Sequence, residues 1–252
     1  MKKIKEYERE AEELEDHQRL MYFGSPWGRY WHETRLQQTL KIARSIIFED
    51  LLDVGCAEGY YMRCLMSYLR PSHVVGLDIA KNYIIKSKRN VPDCLLVLGD
   101  AHNLPLRNNS FDMVLCSEVL EHTLNPKAVL FELIRVSNRY ILLTVPGENF
   151  FHYLARRLGF IKLGDPFMEP GKGHLHEMKI LRTIIPWALE AGCQKIKVIL
   201  TCYFPPAFSE KHRLPAFLIK ILLKLDKILS KVPIVNEYCI VQIALLQKLE
   251  KS

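Results

Sequence analysis

The chain has 252 residues, of which 49% are hydrophobic and 25% charged, with a formal net charge of +7; these are the proportions of a globular protein whose core needs no covalent staples. No uninterrupted apolar run is long enough to span a membrane, and the charged start, Met1-Lys2-Lys3-Ile4-Lys5-Glu6, lacks an apolar signal core. The seven cysteines are scattered, odd in number and form no CxxC pair, which speaks against a disulfide framework or a zinc site and for a reducing, cytoplasmic compartment.

The charge is uneven. Residues 1–50 carry 9 Lys/Arg against 10 Asp/Glu, residues 51–150 carry 10 against 10, and residues 151–252 carry 16 against 8. The basic excess lies wholly in the last two-fifths, as expected for an anionic substrate or surface near the C-terminal elements, or for a solvated basic face.

In chain order, residues 2–19 read as a charged helical arm. An aromatic turn follows, with Tyr22, Phe23, Trp27, Tyr30 and Trp31. A helix is predicted over about 32–47 from the spacing of Leu36, Leu40, Ile42, Ala43, Ile46 and Ile47. From residue 50, short apolar runs at 51–54, 73–77, 94–98, 111–116 and 140–145 alternate with helical stretches, the pattern of a parallel sheet covered on both faces. Asn125-Pro126 reads as an N-cap followed by proline in the first helical turn, and Ala191-Gly192 as the end of a helix running from about 178. Strands at 194–203 and 238–247 flank a helical insert at about 213–231.

Residues 51–59 read Leu-Leu-Asp-Val-Gly-Cys-Ala-Glu-Gly. A strand running through a glycine turn into a helix is a nucleotide-type binding device, because glycine lets the backbone approach a ligand and the helix start offers N–H groups. The dinucleotide fingerprint GxGxxG is not met: Ala57 follows Gly55 and position 60 is Tyr. Asp53 and Glu58 flank the turn, where a pyrophosphate would be repelled.

The loop resembles instead the first motif of class I S-adenosylmethionine-dependent methyltransferases, an acid followed by GxGxG. Asp53, Gly55, Ala57 and Gly59 occupy those positions, with Ala57 replacing the middle glycine. Val74-Val75-Gly76-Leu77-Asp78-Ile79 places the next acid 25 residues after Asp53, and Leu98-Gly99-Asp100-Ala101 ends a third strand. Asn103-Leu104-Pro105-Leu106 through Ser110-Phe111-Asp112 resembles the "LPF…SFD" segment of the small-molecule group and leads into Cys116-Ser117-Glu118-Val119-Leu120-Glu121-His122. The resemblance implies S-adenosylmethionine as donor, with Asp53 at its methionine end, Asp78 on the ribose hydroxyls and Asp100 at the adenine amino group. The donor set it implies is Asp53, Gly55, Cys56, Ala57, Gly59, Tyr60, Asp78, Ile79, Asp100, Ala101, Ser117 and Val119, with no metal. The fold it implies is α/β: a Rossmann-like, doubly wound seven-stranded sheet, mostly parallel, with a C-terminal antiparallel hairpin. Residues 1–252 then form one domain: a helical arm to 48, the core over 49–204, an amphipathic insert over 205–236 and the last strand over 237–248.

Methyl transfer from a sulfonium is an in-line displacement that mainly needs alignment and exclusion of water. A base is required only when the nucleophile carries a proton it must lose. His122 and His174 are the candidates; His174 lies in Gly171-Lys172-Gly173-His174, which resembles a turn bordering the acceptor pocket in small-molecule methyltransferases. Glu118 and Glu121 are alternatives that read more readily as solvated surface. His174-x-His176-Glu177 lacks a distant third ligand for a metal. The Pro-Pro motif of nucleic-acid amino-methyltransferases is absent after the fourth strand, and Thr201-Cys202 has no context for a cytosine-carbon nucleophile, so nucleic acid is a disfavoured acceptor. A small molecule, a glycan or a lipid-linked metabolite is favoured. The alternatives are a non-catalytic donor-binding partner subunit, a nucleic-acid or protein methyltransferase, and an NAD(P)-dependent oxidoreductase.

In the insert, Leu214, Phe217, Leu218, Ile221, Leu222, Leu225, Ile228 and Leu229 form a helical stripe with Arg213, Lys220, Lys224, Lys227 and Lys231 largely opposite. Such a helix is a lid buried on its own domain, a peripheral membrane contact or a protein-docking face. The aromatic turn at 22–31 either closes over the ligands, as N-terminal segments do in this family, or packs the arm onto the sheet.

Overall fold

A sheet covered on both faces needs strands that are apolar at successive positions, and these strands are built that way. The computed structural model describes residues 9, 12, 29–147, 153, 157–159, 176, 178–203, 216–232, 235 and 238–249. Among them, seven strands run as β1 (Asp50–Val54), β2 (His73–Asp78), β3 (Leu95–Leu98), β4 (Phe111–Ser117), β5 (Ser137–Pro146), β6 (Cys193–Thr201) and β7 (Val241–Lys248). They form one sheet in the order β3-β2-β1-β4-β5-β7-β6. β1 to β5 pair in parallel, and β7 runs antiparallel to both β5 and β6. All seven predicted strands are present, and the mixed, mostly parallel sheet is the one expected.

The two-sided core follows from alternation along each strand. Leu51, Met113, Leu115, Leu142, Ile243 and Leu245 point to one face, and Leu52, Val114, Cys116, Ile141, Leu143 and Leu246 to the other. Helices α1 (Thr34–Ala43) and α2 (Tyr60–Leu69) cover the first face. α4 (Pro126–Val136) and α5 (Ile185–Glu190) cover the second, while α3 (Lys81–Asn90) joins β2 to β3. Each fully buried Leu or Ile contributes roughly 1.5–3 kcal/mol.

Local chemistry sets the helix ends. The Asn125 side chain accepts the Ala128 N–H at 3.1 Å and Pro126 opens α4, as predicted. α1 stops at Ala43, short of the predicted 47, because the Ser45 N–H and hydroxyl both donate to the Ile42 carbonyl and tighten the last turn. Ile47 is consequently exposed. The predicted helix from 178 is a π-helical turn, Ile180–Ile184, followed by α5. Pro186 has no N–H to continue an α-helical ladder, which explains the break. Gly192 closes it at φ 80°. Of the arm over 2–19 only Arg9 and Glu12 fall among the described residues.

α6 (Ala216–Leu229) is fixed to the sheet through one buried carboxylate. Asp226 accepts from the Tyr30 hydroxyl at 2.9 Å, the Thr201 hydroxyl at 3.0 Å, the Cys202 N–H at 2.9 Å and the Tyr203 N–H at 3.1 Å. Tyr30 is buried, and its neighbourhood pushes the phenol pKa far up, burial first and the adjacent Cys202 and Asp226 after it. The ring thus packs the N-terminal segment onto the insert. Tyr22, Phe23 and Trp27 lie outside the described residues.

Candidate functional site

The strand order reverses between β1 and β4, so a crevice opens beyond the C-terminal ends of these parallel strands. The residues 51–59 loop, Asp78, Asp100 and the segment after β4 all sit at that edge.

The loop is shaped by three residues with positive φ: Gly55 at 78°, Ala57 at 45° and Gly59 at 81°. A Cβ on Gly55 would collide with the Val119 side chain, so glycine is needed here for both conformation and space. That contact also locks the loop to the residues that follow β4. Ala57 adopts the left-handed region despite its methyl group, at a cost of roughly 1 kcal/mol.

The loop N–H groups are largely spent within the protein. Gly55 and Cys56 donate to the Leu77 carbonyl at 2.7 and 3.0 Å, and Gly59 to that of Cys56 at 2.9 Å. Ala57 donates to Asp78 Oδ2 at 2.9 Å, and Ala80 to Asp78 Oδ1 at 2.9 Å. A phosphate cradle needs such amides aimed at the ligand. Here they tie loop and strand together instead, with the Asp78 carboxylate as the joint between them.

Electrostatics point the same way. Asp53 is 2% exposed. Burial, and then the charge of Asp78, push its pKa up to about 7. Glu58 is also buried, with Lys86 Nζ 3.8 Å from its Oε1. These acids around the loop disfavour a pyrophosphate and suit a ligand with an ammonium or sulfonium. The Cys56 thiol is buried and held protonated, by burial above all. Cys56 thus presents backbone, not sulfur, to the crevice. Tyr60 opens α2, and Ile79 follows Asp78 directly.

At the end of β3, Asp100 Oδ1 accepts from the His102 N–H at 2.9 Å and lies 2.7 Å from His102 Nδ1. His102 Nε2 accepts the Asn125 N–H at 3.3 Å, so the ring proton sits on Nδ1 and donates to Asp100. Burial opposes the ionisation of Asp100, but these bonds outweigh it and hold its pKa low. Asp100 remains half exposed, and Ala101 packs against the core beside it.

The post-β4 segment holds a network not apparent from the sequence. Glu118 has φ 57°. Its Oε1 accepts the Thr144 hydroxyl at 3.0 Å, Ser117 Oγ lies 2.8 Å from that hydroxyl, and its Oε2 lies 2.7 Å from Arg35 Nη1. Arg35, buried on α1, also donates to the Tyr61 hydroxyl at 3.2 Å. Neither Glu118 nor Glu121 is the solvated surface residue expected: Glu118 is ion-paired and Glu121 is buried. His122 is mostly buried, its Nε2 3.6 Å from Glu121 Oε1. The His176 N–H donates to the Glu121 carbonyl at 3.3 Å, which brings the 176 region to this turn. His174 lies outside the described residues. The one available signal for Arg35 was its place inside an apolar helix stripe.

Part of the "LPF…SFD" likeness is structural. Arg135 clasps Glu132 with two 2.7 Å bonds and reaches the Leu104 and Leu106 carbonyls at 2.9 Å each, fastening that loop to α4. Asp112 accepts the Glu49 N–H at 2.9 Å, at the N-terminal end of β1 and away from the crevice.

Residues 52–139 match the family model of the methyltransferase domain. Over these residues the chain is similar to class I S-adenosylmethionine-dependent methyltransferases. Similar curated methyltransferases include a demethylmenaquinone methyltransferase of Thermotoga maritima, 24% identical over 71% of this chain and 78% of its own. A malonyl-[acyl-carrier protein] O-methyltransferase of Serratia marcescens is 33% identical over 51% of this chain and 47% of its own. The chain spans less than half the length of two further curated relatives that it matches, 27% of one and 48% of the other. The structure of a magnesium protoporphyrin IX methyltransferase from Synechocystis, solved with S-adenosylhomocysteine, shares the fold at TM-score 0.57 and 13% identity, over 86% of this chain and 83% of that one. Among the described residues no group of three His, Cys, Asp or Glu could hold a metal ion.

Proposed function

We propose that this chain transfers a methyl group from S-adenosylmethionine to a small-molecule, glycan or lipid-linked acceptor by in-line displacement. The observation that carries the reading is the acid-lined loop whose amides are spent internally: it is built for a cationic ligand with hydroxyls, not for a phosphate. When bound, the donor supplies an activated methyl on a sulfonium.

In this reading Asp78 accepts the ribose hydroxyls, and Asp53 faces the cationic end, which draws it to its ionised form. The outward oxygen of Asp100 takes the adenine amino group. Gly55, Cys56, Ala57, Gly59 and Tyr60 give a close wall on one side. Ile79, Ala101, Ser117 and Val119 give the other. His122, beside buried Glu121, is the candidate for moving a proton from an acceptor hydroxyl or amine, with His174 as the second. Residues 1–252 act as one unit, with the N-terminal segment and the 205–236 insert on the acceptor side. Seven free thiols support a cytoplasmic setting.

The test is transfer of labelled methyl into cell extract, separated into protein, nucleic-acid, lipid and small-molecule fractions, beside calorimetry with S-adenosylmethionine and NAD(P). Donor binding with label in the lipid or small-molecule fraction supports the reading. Label confined to nucleic acid or protein replaces the acceptor class. Donor binding with no label anywhere makes the chain a non-catalytic subunit, and NAD(P) binding in place of the donor overturns the whole.

A further inference from the structure

The stripe read from the insert is not buried as a unit. On α6, Leu218, Leu222 and Leu229 turn inward with Asp226, and Leu222 packs on the core. Phe217, Ile221, Leu225 and Ile228 face solvent, 62%, 47%, 40% and 61% exposed. They recur at intervals of four, four and three residues and form one ridge along the outer surface of the helix. Lys220, Lys224, Lys227 and Lys231 are exposed along one flank of that ridge. At 100° per residue these lysines share an arc of about 60° next to the ridge, and the protein body lies on the other side. The one acid of α6, Asp226, is buried, so the outer surface carries cations alone.

We infer that α6 docks this protein onto the surface of an anionic phospholipid bilayer. A bare apolar ridge flanked by lysines is the profile of a helix lying in a membrane interface: the ridge enters the acyl boundary, and flexible ammonium stems reach the headgroup phosphates. Among the described residues the basic side chains along the ridge are lysines, which act as mobile point charges, and not arginines with their fixed paired geometry. That favours a diffuse sheet of negative charge over a particular acidic peptide. A second copy laid antiparallel, ridge to ridge, would bring both rows of lysines to the same side of the seam, where they repel. No described helix is long and apolar enough to cross a membrane, so the contact is one of lying on the surface.

The placement has a consequence for the site. β6 runs parallel to β5 through their shared neighbour β7, so Thr201 to Tyr203, where Asp226 anchors α6, lie at the edge that carries the candidate site. A bilayer beneath α6 meets the protein near its acceptor side.

The experiment is co-sedimentation of the full chain with vesicles of phosphatidylcholine, with and without phosphatidylserine. Pelleting is expected with the anionic vesicles and should weaken as salt is raised. Lys220→Glu with Lys224→Glu should lower the partition coefficient by at least about 25-fold, at about fivefold for each lysine lost. Phe217→Ser with Ile228→Ser should lower it while helping solubility, since both side chains are exposed. Pelleting of the native chain no greater with anionic than with neutral vesicles overturns the inference. So does binding unaffected by the apolar pair, or a dimer in sedimentation velocity that the apolar pair dissolves. S-adenosylmethionine calorimetry on the same samples keeps this test separate from the methyl-transfer reading: donor binding should be equal in all three proteins whichever way the vesicles answer.

Discussion

The donor edge and the α6 corner are held in opposite ways. Around Gly55 and Asp78 the structure is made by the backbone: positive φ angles, amides donated across one strand-to-loop step, and a carboxylate gripping N–H groups at Ala57 and Ala80. At the corner it is made by one side chain, Asp226, joining segments 196 and 24 residues away in sequence. The first arrangement preforms a site within a rigid sheet. The second fastens a surface helix and an N-terminal segment to the same sheet at one point, with Tyr30 and Leu222 adding contacts to its core.

The largest expected effect tests the corner. Asp226→Ala leaves two hydroxyls and two backbone N–H groups without their buried acceptor and should cost about 4 kcal/mol or more of stability in urea unfolding. A loss below 1 kcal/mol would mean that the corner is not held by this residue. Asp78→Ala should show the opposite balance, lowering S-adenosylmethionine affinity about 100-fold in calorimetry with a smaller loss of stability. Unchanged affinity would remove Asp78 from the ribose. Arg35→Ala, which strands Glu118 beside the crevice, should cost about 2 kcal/mol in the same unfolding assay, and Arg35→Lys should restore only part of it.

A smaller effect follows from Asp53. Its folded pKa, about 7, lies above that of the unfolded chain, so the ligand-free protein should lose stability as pH rises from the ordinary carboxylate range to about 7 and level off above. Donor binding has the reverse sign: a cation favours the ionised form, so affinity should rise through pH 7, by up to about tenfold per unit below it. Asp53→Asn should flatten both profiles, and a profile unchanged by that substitution would assign the titration elsewhere. The smallest effect is that of Ala57→Gly, which relieves a left-handed alanine and should alter stability by less than about 1 kcal/mol, with the loop and donor affinity retained.

The contrast between the two regions also explains what the sequence made legible. The seven strands could be read because a sheet covered on both faces writes itself as apolar runs, and the placement of Gly55, Gly59, Asp78 and Asp100 could be read because each lies within a few residues of a strand end. The position of β7 between β5 and β6 could not, since an apolar run does not encode its neighbours. Arg35 and Glu118 escaped for a related reason: their pairing joins α1 to the end of β4, and no local pattern marks it. Asp226 is the only acid in a basic helix, a cue to its burial, yet the stripe around it reads as one uniform face when half of it is turned to water. His122 and Glu121 follow a strand end, but the bond from the His176 N–H to the Glu121 carbonyl joins positions 55 residues apart, which no local pattern marks.

The place of β7 between β5 and the edge strand β6 has a consequence for synthesis. Its residues 241–248 complete hydrogen bonds with β5, whose edge has been waiting since residue 146 was made. At about 5–20 residues per second, the stretch between them takes roughly 5 to 20 seconds to emerge. Throughout that interval the nascent sheet presents an open, apolar edge of the kind that pairs with foreign strands. A ribosome stalled before residue 241 would therefore hold a nearly complete domain that cannot close, and such chains should be selective clients for chaperones that bind extended hydrophobic segments.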